Sequence, residues 1–380
     1  MGVGYGGRMF KYPSELDKIF TKLLRSDAKP IIVGGFIRDS LLKIVSDDID
    51  IEVYNIASFE KLEDLLTEFG SVNSVGKSFG VCKLDFKGFH LDFTLPRIDN
   101  KVSVGHCGFD IKIDTSLDYK TASSRRDFTI NTIGYDIASR SLLDPFDGIT
   151  DLKNKVLKVV DAKKFAQDPL RVLRAMQFCA RFELKADEQL ISICKDMCHN
   201  HLLEELAQER LFEEFKKLLL KSEKPSIGLE FLKQIDAFEF FYELDLKQRD
   251  WDFTLEIVDR CEKNLIIKLA SLCYKMPSKH KKSFITKLTN QKQLLKEITN
   301  YHHIIDNIVF KKEPLKYHII KDADIQSIDI FLKALNIEDK KLQKLQPIIN
   351  GKDLVKLGFK PSKEFSKLLQ LIYEMQLLSL

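Results

Sequence analysis

Two aspartates, Asp48 and Asp50, lie two positions apart in the segment DIDIE. On a β-strand, residues two apart point to the same side, so both carboxylates are presented together while Ile49 and Ile51 face the core. Carboxylates this close repel each other unless a divalent cation lies between them. Asp92, on another alternating segment, could supply a third carboxylate. The pattern predicts a magnesium site, with a solvated strand or a calcium loop as the alternatives for an isolated pair.

A glycine turn precedes this pair in the chain. Gly34 and Gly35 follow an apolar run, and Arg38 comes three residues later. Paired glycines let backbone N–H groups approach a triphosphate closely, and an arginine can reach its oxygens through a forked, charge-assisted contact. Beside a carboxylate-bound metal, such a turn is typical of nucleotidyl transfer, in which metal ions activate an attacking 3′-hydroxyl and neutralise the leaving pyrophosphate.

A third polar segment is RRDFTIN, which begins at Arg125. Arg125 and Arg126 can meet phosphates, and Asp127 and Asn131 can form hydrogen bonds with a ribose hydroxyl, which would favour ribonucleotides. The alternative is a structural ion pair between an arginine and Asp127.

A fourth segment, QDPLRVLR, reads as the start of a helix because Pro169 suits the first helical turn. Asp168 and Arg171 then share one face, with Arg174 one turn further on. An Asp acceptor beside an Arg donor can imitate a Watson–Crick edge and so read a nucleobase without a template strand. The alternative is an ordinary salt bridge on the helix surface.

The elements that carry these segments change along the chain. Residues 30–160 alternate short β-rich runs with turns, whereas the chain from about residue 162 shows helical periodicity. The predicted fold class is therefore α+β, with an N-terminal domain built on a small mixed β-sheet followed by an elongated all-α region. The predicted units are an N-terminal extension with a first helix, a catalytic head, a helical neck with the base-reading segment, and a helical body and tail, at residues 1–28, 29–160, 161–220 and 221–380.

Composition narrows the class of protein. The 380 residues are 44% hydrophobic and 31% charged, with a net charge of only +4, which permits nucleic acid without demanding it. Because no apolar run reaches about 18 residues and no secretory signal is present, we expect a cytoplasmic protein that does not contact a membrane. Scattered cysteines without a C-x-x-C pair predict free, buried thiols. Residues 279–321 are rich in lysine with Tyr301, His302, His303 and Tyr317 interleaved, which suits either a phosphate-contacting face or a solvated helix surface.

Taken together and in this order, the four segments resemble the class II tRNA nucleotidyltransferases, the CCA-adding enzymes of the poly(A) polymerase and tRNA nucleotidyltransferase superfamily. VGGFIRDSLL through DDIDI is similar to the family's first motif, RRDFTINTIGYD to its second, DPFDGITDL to its third and QDPLRVLR to its nucleobase-templating motif. The resemblance implies template-independent addition or repair of the 3′-terminal CCA of tRNA from CTP and ATP, with release of pyrophosphate.

The resemblance also implies roles for single residues. Asp48 and Asp50 would bind the catalytic magnesium. Gly35, Arg38 and Arg126 would contact the incoming triphosphate. Asp168 and Arg171 would read cytosine and then adenine, with Arg174 supporting the nucleotide. A flexible loop would span residues 98–123, and the helical half with its C-terminal segment from Pro347 would hold the tRNA, from its acceptor stem to its elbow.

Three departures from the family pattern qualify this interpretation. Gln167 occupies a position that is usually Glu, which would weaken the steering of Arg171, and Gln177 replaces an arginine of many members. Cys273 and Tyr274 stand where some relatives carry a His-Asp pair, so no phosphohydrolase activity is expected. The alternatives that remain are a CC-adding or an A-adding enzyme, a poly(A) polymerase and, from a different class, a non-catalytic RNA-binding protein.

Overall fold

A computed structural model describes residues 10–76, 80–101, 109–310, 329–330, 333 and 347–378. The chain divides into two compact units, of which the first runs to Leu206 and includes Gln234–Ala237, while the second holds Ala207–Lys233 and the chain from Phe238. The first unit carries a mixed sheet and the second is helical, which confirms the predicted α+β class. The finer boundaries at residues 28, 160 and 220 stay a prediction.

A seven-stranded mixed sheet forms the centre of the first unit, in the order β3-β4-β5-β2-β1-β8-β9. Strands β2 and β5 are parallel, and all other neighbours are antiparallel. Strands β6 and β7 pair with each other, as do β10 and β11. The strands are β1 Lys29–Val33, β2 Asp48–Tyr54, β3 Val72–Gly76, β4 Val81–Phe86, β5 Phe89–Thr94, β6 Arg97–Lys101, β7 Phe109–Ile113, β8 Gly134–Asp136, β9 Ser141–Leu143, β10 Val156–Leu157 and β11 Lys185–Ala186.

The alternation in β2 decides which of its residues are buried. Ile49, Ile51 and Val53 enter the main hydrophobic core together with Leu91 and Phe93 of β5. Each such side chain contributes about 1.5–3 kcal/mol when it leaves water, so a shift of register by one residue would be costly. The intervening positions consequently project from the opposite face of the sheet.

Three helices cover the core face of this sheet, and their buried side chains join the same cluster. Helices α4 to α8 follow later in the first unit. The helices of this unit are α1 Asp17–Leu24, α2 Gly35–Leu41, α3 Phe59–Leu66, α4 Tyr119–Ser123, α5 Gly148–Lys153, α6 Ala162–Phe165, α7 Leu170–Phe182 and α8 Glu188–His199. Helix α7 begins directly after Pro169 and ends at Phe182, and the next residue, Glu183, adopts a left-handed conformation with φ 50°.

The second unit is helical throughout its described part. Phe215, Phe241 and Phe284 form an aromatic group in its core, with Phe215 ring centroids 5.3 and 5.6 Å from the other two. Helix α12 packs on α9, α11 and α14. The helices are α9 Gln208–Lys221, α10 Pro225–Gln234, α11 Gln248–Arg260, α12 Leu265–Cys273, α13 Ser278–Leu288, α14 Lys292–Phe310, α15 Gly351–Lys356 and α16 Lys363–Leu378.

None of the described helices combines the length and apolarity that a membrane span requires. The cytoplasmic location expected from the sequence stays a prediction.

Candidate active site

Three carboxylates meet on the face of the sheet opposite the main core. Asp50 of β2 lies directly beside Asp92 of β5 in the parallel register, and Asp48 lies beside His90. Lys83 of β4 pairs with Asp92 from the other side, with 2.7 Å between Nζ and Oδ2. Because directly paired residues of neighbouring strands project to the same face, Lys83, Asp92 and Asp50 form one row across three strands.

The electrostatics of this row favour a cation. Although Asp50 is exposed at the surface of the sheet, the loss of part of its surrounding water raises its pKa. Arg126 opposes this shift, and Asp92, Asp48 and Glu52 add to it. Within the described ranges, no group of three or more His, Cys, Asp or Glu side chains could enclose a metal ion. Magnesium usually takes one or two carboxylates and completes its shell with water and substrate phosphates, so the hard oxygen donors of Asp48 and Asp50 fit it.

The glycine turn lies at the end of β1, beside the carboxylates. Gly34 has φ 68° and ψ −124° and immediately precedes α2, a conformation that L side chains rarely adopt. A Cβ atom at this position would lie 2.9 Å from Nη1 of Arg126 and 3.9 Å from Oδ2 of Asp50. Only glycine therefore allows the backbone, the arginine and the carboxylate to come this close. Gly35 follows as the first residue of α2.

Glu52, for which no role was predicted, holds both Arg125 and Arg126. Its Oε1 accepts hydrogen bonds from Arg125 at 2.8 Å and Arg126 at 2.9 Å, and its Oε2 accepts one from Tyr54 at 2.7 Å. Burial alone would raise the pKa of Glu52, but Arg126 and Arg125 outweigh it and hold the pKa below its ordinary value. The available signal was the third acid in the alternation that begins at Asp48.

Four predicted nucleotide-binding residues form one hydrogen-bonded chain. Arg38 donates through Nη1 to Oδ1 of Asn131 at 2.5 Å, and the Asn131 amide donates to Oδ1 of Asp127 at 2.8 Å. Arg174 then donates from Nε to Oδ2 of Asp127 at 2.6 Å. The chain links α2, the turn Thr129–Asn131 and α7, so it fixes the relative position of three of the four motifs.

Arg38 is more enclosed than the sequence suggested. Only 4% of the residue is exposed, its guanidinium also contacts Asp39 at 2.7 Å, and it lies 4.4 Å from the ring centroid of Phe182. The described contacts of the Arg38 side chain thus join α2 to Asn131 and α7, and its expected contact with the triphosphate stays a prediction.

The predicted base-reading segment is anchored to the second motif through backbone atoms. Arg171 donates to the carbonyl oxygens of Lys164 at 3.1 Å and Arg125 at 2.8 Å. Oδ1 of Asp168 accepts the backbone N–H of Leu170 at 3.1 Å, which stabilises the start of α7. Gln177, one of the departures from the family pattern, is 2% exposed and therefore faces the interior.

The third motif supports the second. Both oxygens of Asp144 accept backbone N–H groups at the start of α5, from Gly148 and Ile149. A Cβ atom on Gly148 would lie 2.2 Å from the carbonyl oxygen of Thr129, and the Thr129 hydroxyl donates to Asp151 at 2.8 Å. Helix α5 therefore braces the turn that carries Asn131, which explains the role of DPFDGITDL in the fold.

In the lysine-rich part of the second unit, some of the predicted residues are buried and others are exposed. Tyr301 and His302 are buried, and Lys287 is bonded to buried Glu243 at 2.9 Å. Lys279 and Lys282 line an open pocket of about 460 Å³ on α13. The predicted residues from Lys311 to Lys321, including Tyr317, lie outside the described residues, and the phosphate-contacting face stays a prediction.

Two domain families match this chain by sequence. The poly A polymerase head domain matches residues 31–158, which include the sheet, the carboxylates and the glycine turn. The probable RNA and SrmB-binding site of polymerase A matches residues 184–246. The chain belongs to the poly(A) polymerase and tRNA nucleotidyltransferase family. The family resemblance drawn from the four motifs is thus confirmed.

Members of this family also match over nearly the whole chain. The CCA-adding enzyme of Lactococcus lactis subsp. cremoris (strain MG1363) is 28% identical over 398 residues, which cover 97% of this chain and 93% of the relative. The Thermotoga maritima CCA-adding enzyme in complex with tRNA has a TM-score of 0.68 at 23% identity, covering 97% of this chain and 92% of that one. A CCA-adding enzyme in complex with CTP has a TM-score of 0.66 at 23% identity, with the same coverage. At these identities the two structures show the shared fold.

Proposed function

We propose that this protein adds or repairs the 3′-terminal CCA of tRNA, using CTP and ATP without a template and releasing pyrophosphate. The observation that carries the proposal is the carboxylate pair of Asp48 and Asp50 beside a glycine turn, which Arg126 touches, within this family. The full-length relatives, one of them solved with tRNA and one with CTP, favour this substrate over other RNAs.

Asp48 and Asp50 would hold the divalent ion, for which magnesium suits their oxygen donors. The bound ion would lower the pKa of the attacking 3′-hydroxyl and neutralise charge on the phosphates. Asp92, fixed beside Asp50 by the strand register, would contribute a third carboxylate on the side of the attacking hydroxyl.

Arg126 and the turn at Gly34 and Gly35 would bind the triphosphate. Glu52 holds the Arg126 guanidinium in one orientation, so little conformational entropy is lost when the nucleotide arrives. Arg38, Asn131, Asp127 and Arg174 would keep the turn and α7 in register, with Asp127 and Asn131 the expected partners of a ribose hydroxyl.

Asp168 and Arg171 would read the base from the start of α7. In this structure Arg171 rests on backbone carbonyls and Asp168 on a backbone N–H, contacts that a nucleobase edge with matching donors and acceptors could replace. Reading C and then A would require both side chains to reorient.

The test uses the purified chain, magnesium and three tRNA transcripts that end before CCA, after C and after CC. With CTP and ATP together, all three should be completed, and ATP alone should extend only the transcript that ends after CC. Extension of only the transcripts that end before CCA and after C would identify a CC-adding enzyme, extension of only the transcript that ends after CC would identify an A-adding enzyme, and a long A tail would identify a poly(A) polymerase.

Substitution of Asp48 distinguishes an enzyme from an RNA-binding protein. Asp48→Ala should abolish incorporation on every transcript while tRNA binding in a filter assay stays within about twofold, because the exposed carboxylate contributes little to the fold. Incorporation at the wild-type rate by this variant would remove the catalytic assignment. Binding without extension by the wild-type chain would favour the non-catalytic alternative.

A further inference from the structure

A pocket of about 430 Å³ opens beside the row that Lys83, Asp92 and Asp50 form across three strands. Strands β5, β4 and β3 lie on that side of β2, whereas β1, which leads into Gly34, lies on the other. The residues that line the pocket are mostly polar, with three apolar ones among them: Asp48, Asp50, Asp92, Ser71, Asn73, Lys83, Asp85, His90, Ile49, Leu84 and Leu91. Asp50 therefore separates two regions, the glycine turn with Arg126 and this pocket.

The geometry of nucleotidyl transfer requires the two regions to bind different parts of the substrates. The attacking oxygen and the leaving oxygen lie roughly in line on opposite sides of the phosphorus atom. If the pyrophosphate of the incoming nucleotide lies toward Gly34 and Arg126, the attacking 3′-hydroxyl must approach from the side of β5. That step rests on the function proposed above, and the pocket is the space that lies there.

Charge decides how an RNA end can enter this pocket. Asp48, Asp50, Asp85 and Asp92 line it, so a phosphate is repelled over most of its surface. Lys83 offers a cation beside Asp92 at 2.7 Å. Its side chain is 59% exposed, and an ammonium group has three N–H donors, so the bond to Asp92 leaves donors for a second anion.

We propose that the pocket receives the 3′-terminal nucleotide of the acceptor RNA, and that Lys83 binds the phosphate joining this nucleotide to the one before it. Asp92 then faces the terminal ribose while its neighbour Lys83 holds the 5′ side of the same nucleotide. Lys83 is a positioning residue for the acceptor, and it makes no contact with the incoming nucleotide.

The experiment compares wild-type protein with Lys83→Ala, Lys83→Arg and the matched control Lys87→Ala, which removes an exposed lysine from the turn of the same hairpin. Steady-state addition of A to a tRNA that ends after CC gives KM for the tRNA and for ATP separately. Lys83→Ala should raise KM for the tRNA about tenfold, as expected for a charge-assisted phosphate contact. It should leave KM for ATP unchanged, and Lys83→Arg should restore most of the loss. Lys87→Ala should behave as wild type.

A second acceptor carries a neutral methylphosphonate in place of its last phosphodiester. With wild-type protein, KM for this acceptor should be about tenfold higher than KM for the unmodified tRNA. With Lys83→Ala, the methylphosphonate should raise KM no further, because the two partners of one contact are not independent. If the substitution and the methylphosphonate raised KM for the tRNA independently, so that their factors multiplied, the proposal would be overturned. A change in KM for ATP would overturn it as well. A fall in kcat alone would also overturn it and make Lys83 only the counter-ion of Asp92. Failure of the wild-type protein to extend any tRNA would instead remove the proposed function.

Discussion

The guanidinium of Arg126 occupies the space into which a side chain at Gly34 would project, with only 2.9 Å between Nη1 and an ideal Cβ position. The arginine is fixed there by Glu52 and by the carbonyl oxygen of Asn131. A glycine turn and a cation that belong to different motifs are therefore built as one surface.

Gly34→Ala should show whether the glycine turn and Arg126 bind the nucleotide together, as distinct from the backbone strain that alanine causes at any positive φ. The added Cβ displaces Arg126, so KM for CTP and ATP should rise about tenfold. Gly88→Ala is the matched control, because Gly88 also has a positive φ of 87° but nothing lies within 4 Å of its Cβ position. Both variants should lose about 1–2 kcal/mol in the free energy of unfolding. Equal KM values for Gly34→Ala and Gly88→Ala would contradict the idea of a shared surface.

Removing the carboxylate of Glu52 should affect both stability and nucleotide binding. Glu52→Ala leaves Arg125 and Arg126 without their buried acceptor, and breaking such a pair costs about 3–5 kcal/mol. The KM for nucleotides should rise as well, because Arg126 is released. Urea unfolding and steady-state kinetics measure the two effects.

The control for Glu52→Ala is Glu243→Ala in the second unit, where a buried glutamate accepts from Lys287 and Ser283. This variant should lose comparable stability with no change in KM for nucleotides. If Glu243→Ala raised KM as much as Glu52→Ala, general destabilisation would explain both results.

Asp50→Asn should abolish activity and stabilise the metal-free protein. Asp50 has its pKa raised by lost solvation and neighbouring carboxylates, so a neutral isostere should relieve a repulsion that solvent screens to a few tenths of a kcal/mol and raise Tm by about 1 °C in EDTA. Incorporation should be abolished. Asp64→Asn, at an exposed position on α3, should change neither quantity. A lower Tm for Asp50→Asn would show that the charged form is stabilised by the fold.

His302 should make the helical unit sensitive to acid. Burial lowers its pKa to about 4 from 6.5, the hydrogen bond to the Ala270 carbonyl opposes this, Lys281 adds to the lowering and Asp306 opposes it. A depressed histidine pKa means that the unfolded chain takes up the proton first. The contribution of neutral His302 to the free energy of unfolding is therefore complete above pH 6.5 and falls by about 3 kcal/mol as the pH drops to 4.

Thermal melts followed by circular dichroism between pH 4 and 7 test this expectation. His302→Gln should flatten the pH dependence of Tm in that window, whereas substitution of the exposed neighbour, His303→Gln, should leave the slope intact. Identical slopes for wild-type protein and His302→Gln would exclude His302 as the source.

Local patterns in the sequence were sufficient for much of this description. The period of two in DIDIE placed Asp48 and Asp50 on one face because strands alternate by geometry, and the structure has them in that arrangement. The change from alternating to helical periodicity gave the α+β order. In α14, however, Ile298, Tyr301 and Ile305 share the spacing of a buried stripe, which shows why Tyr301 packs inward instead of joining the lysines.

Contacts between distant segments were decided only by the tertiary structure. Alternation gives the face of a strand but not its neighbour, so the pairing of β5 with both β2 and β4 was needed to set Asp92 between Asp50 and Lys83. Likewise, the sequence predicted Arg38 as a cation near phosphate, while helix packing buried it against Asn131. The sequence by itself predicted which residues carry the chemistry, and its alternation determined which way each strand presents them. Long-range strand pairing and side-chain burial determined which of these groups touch.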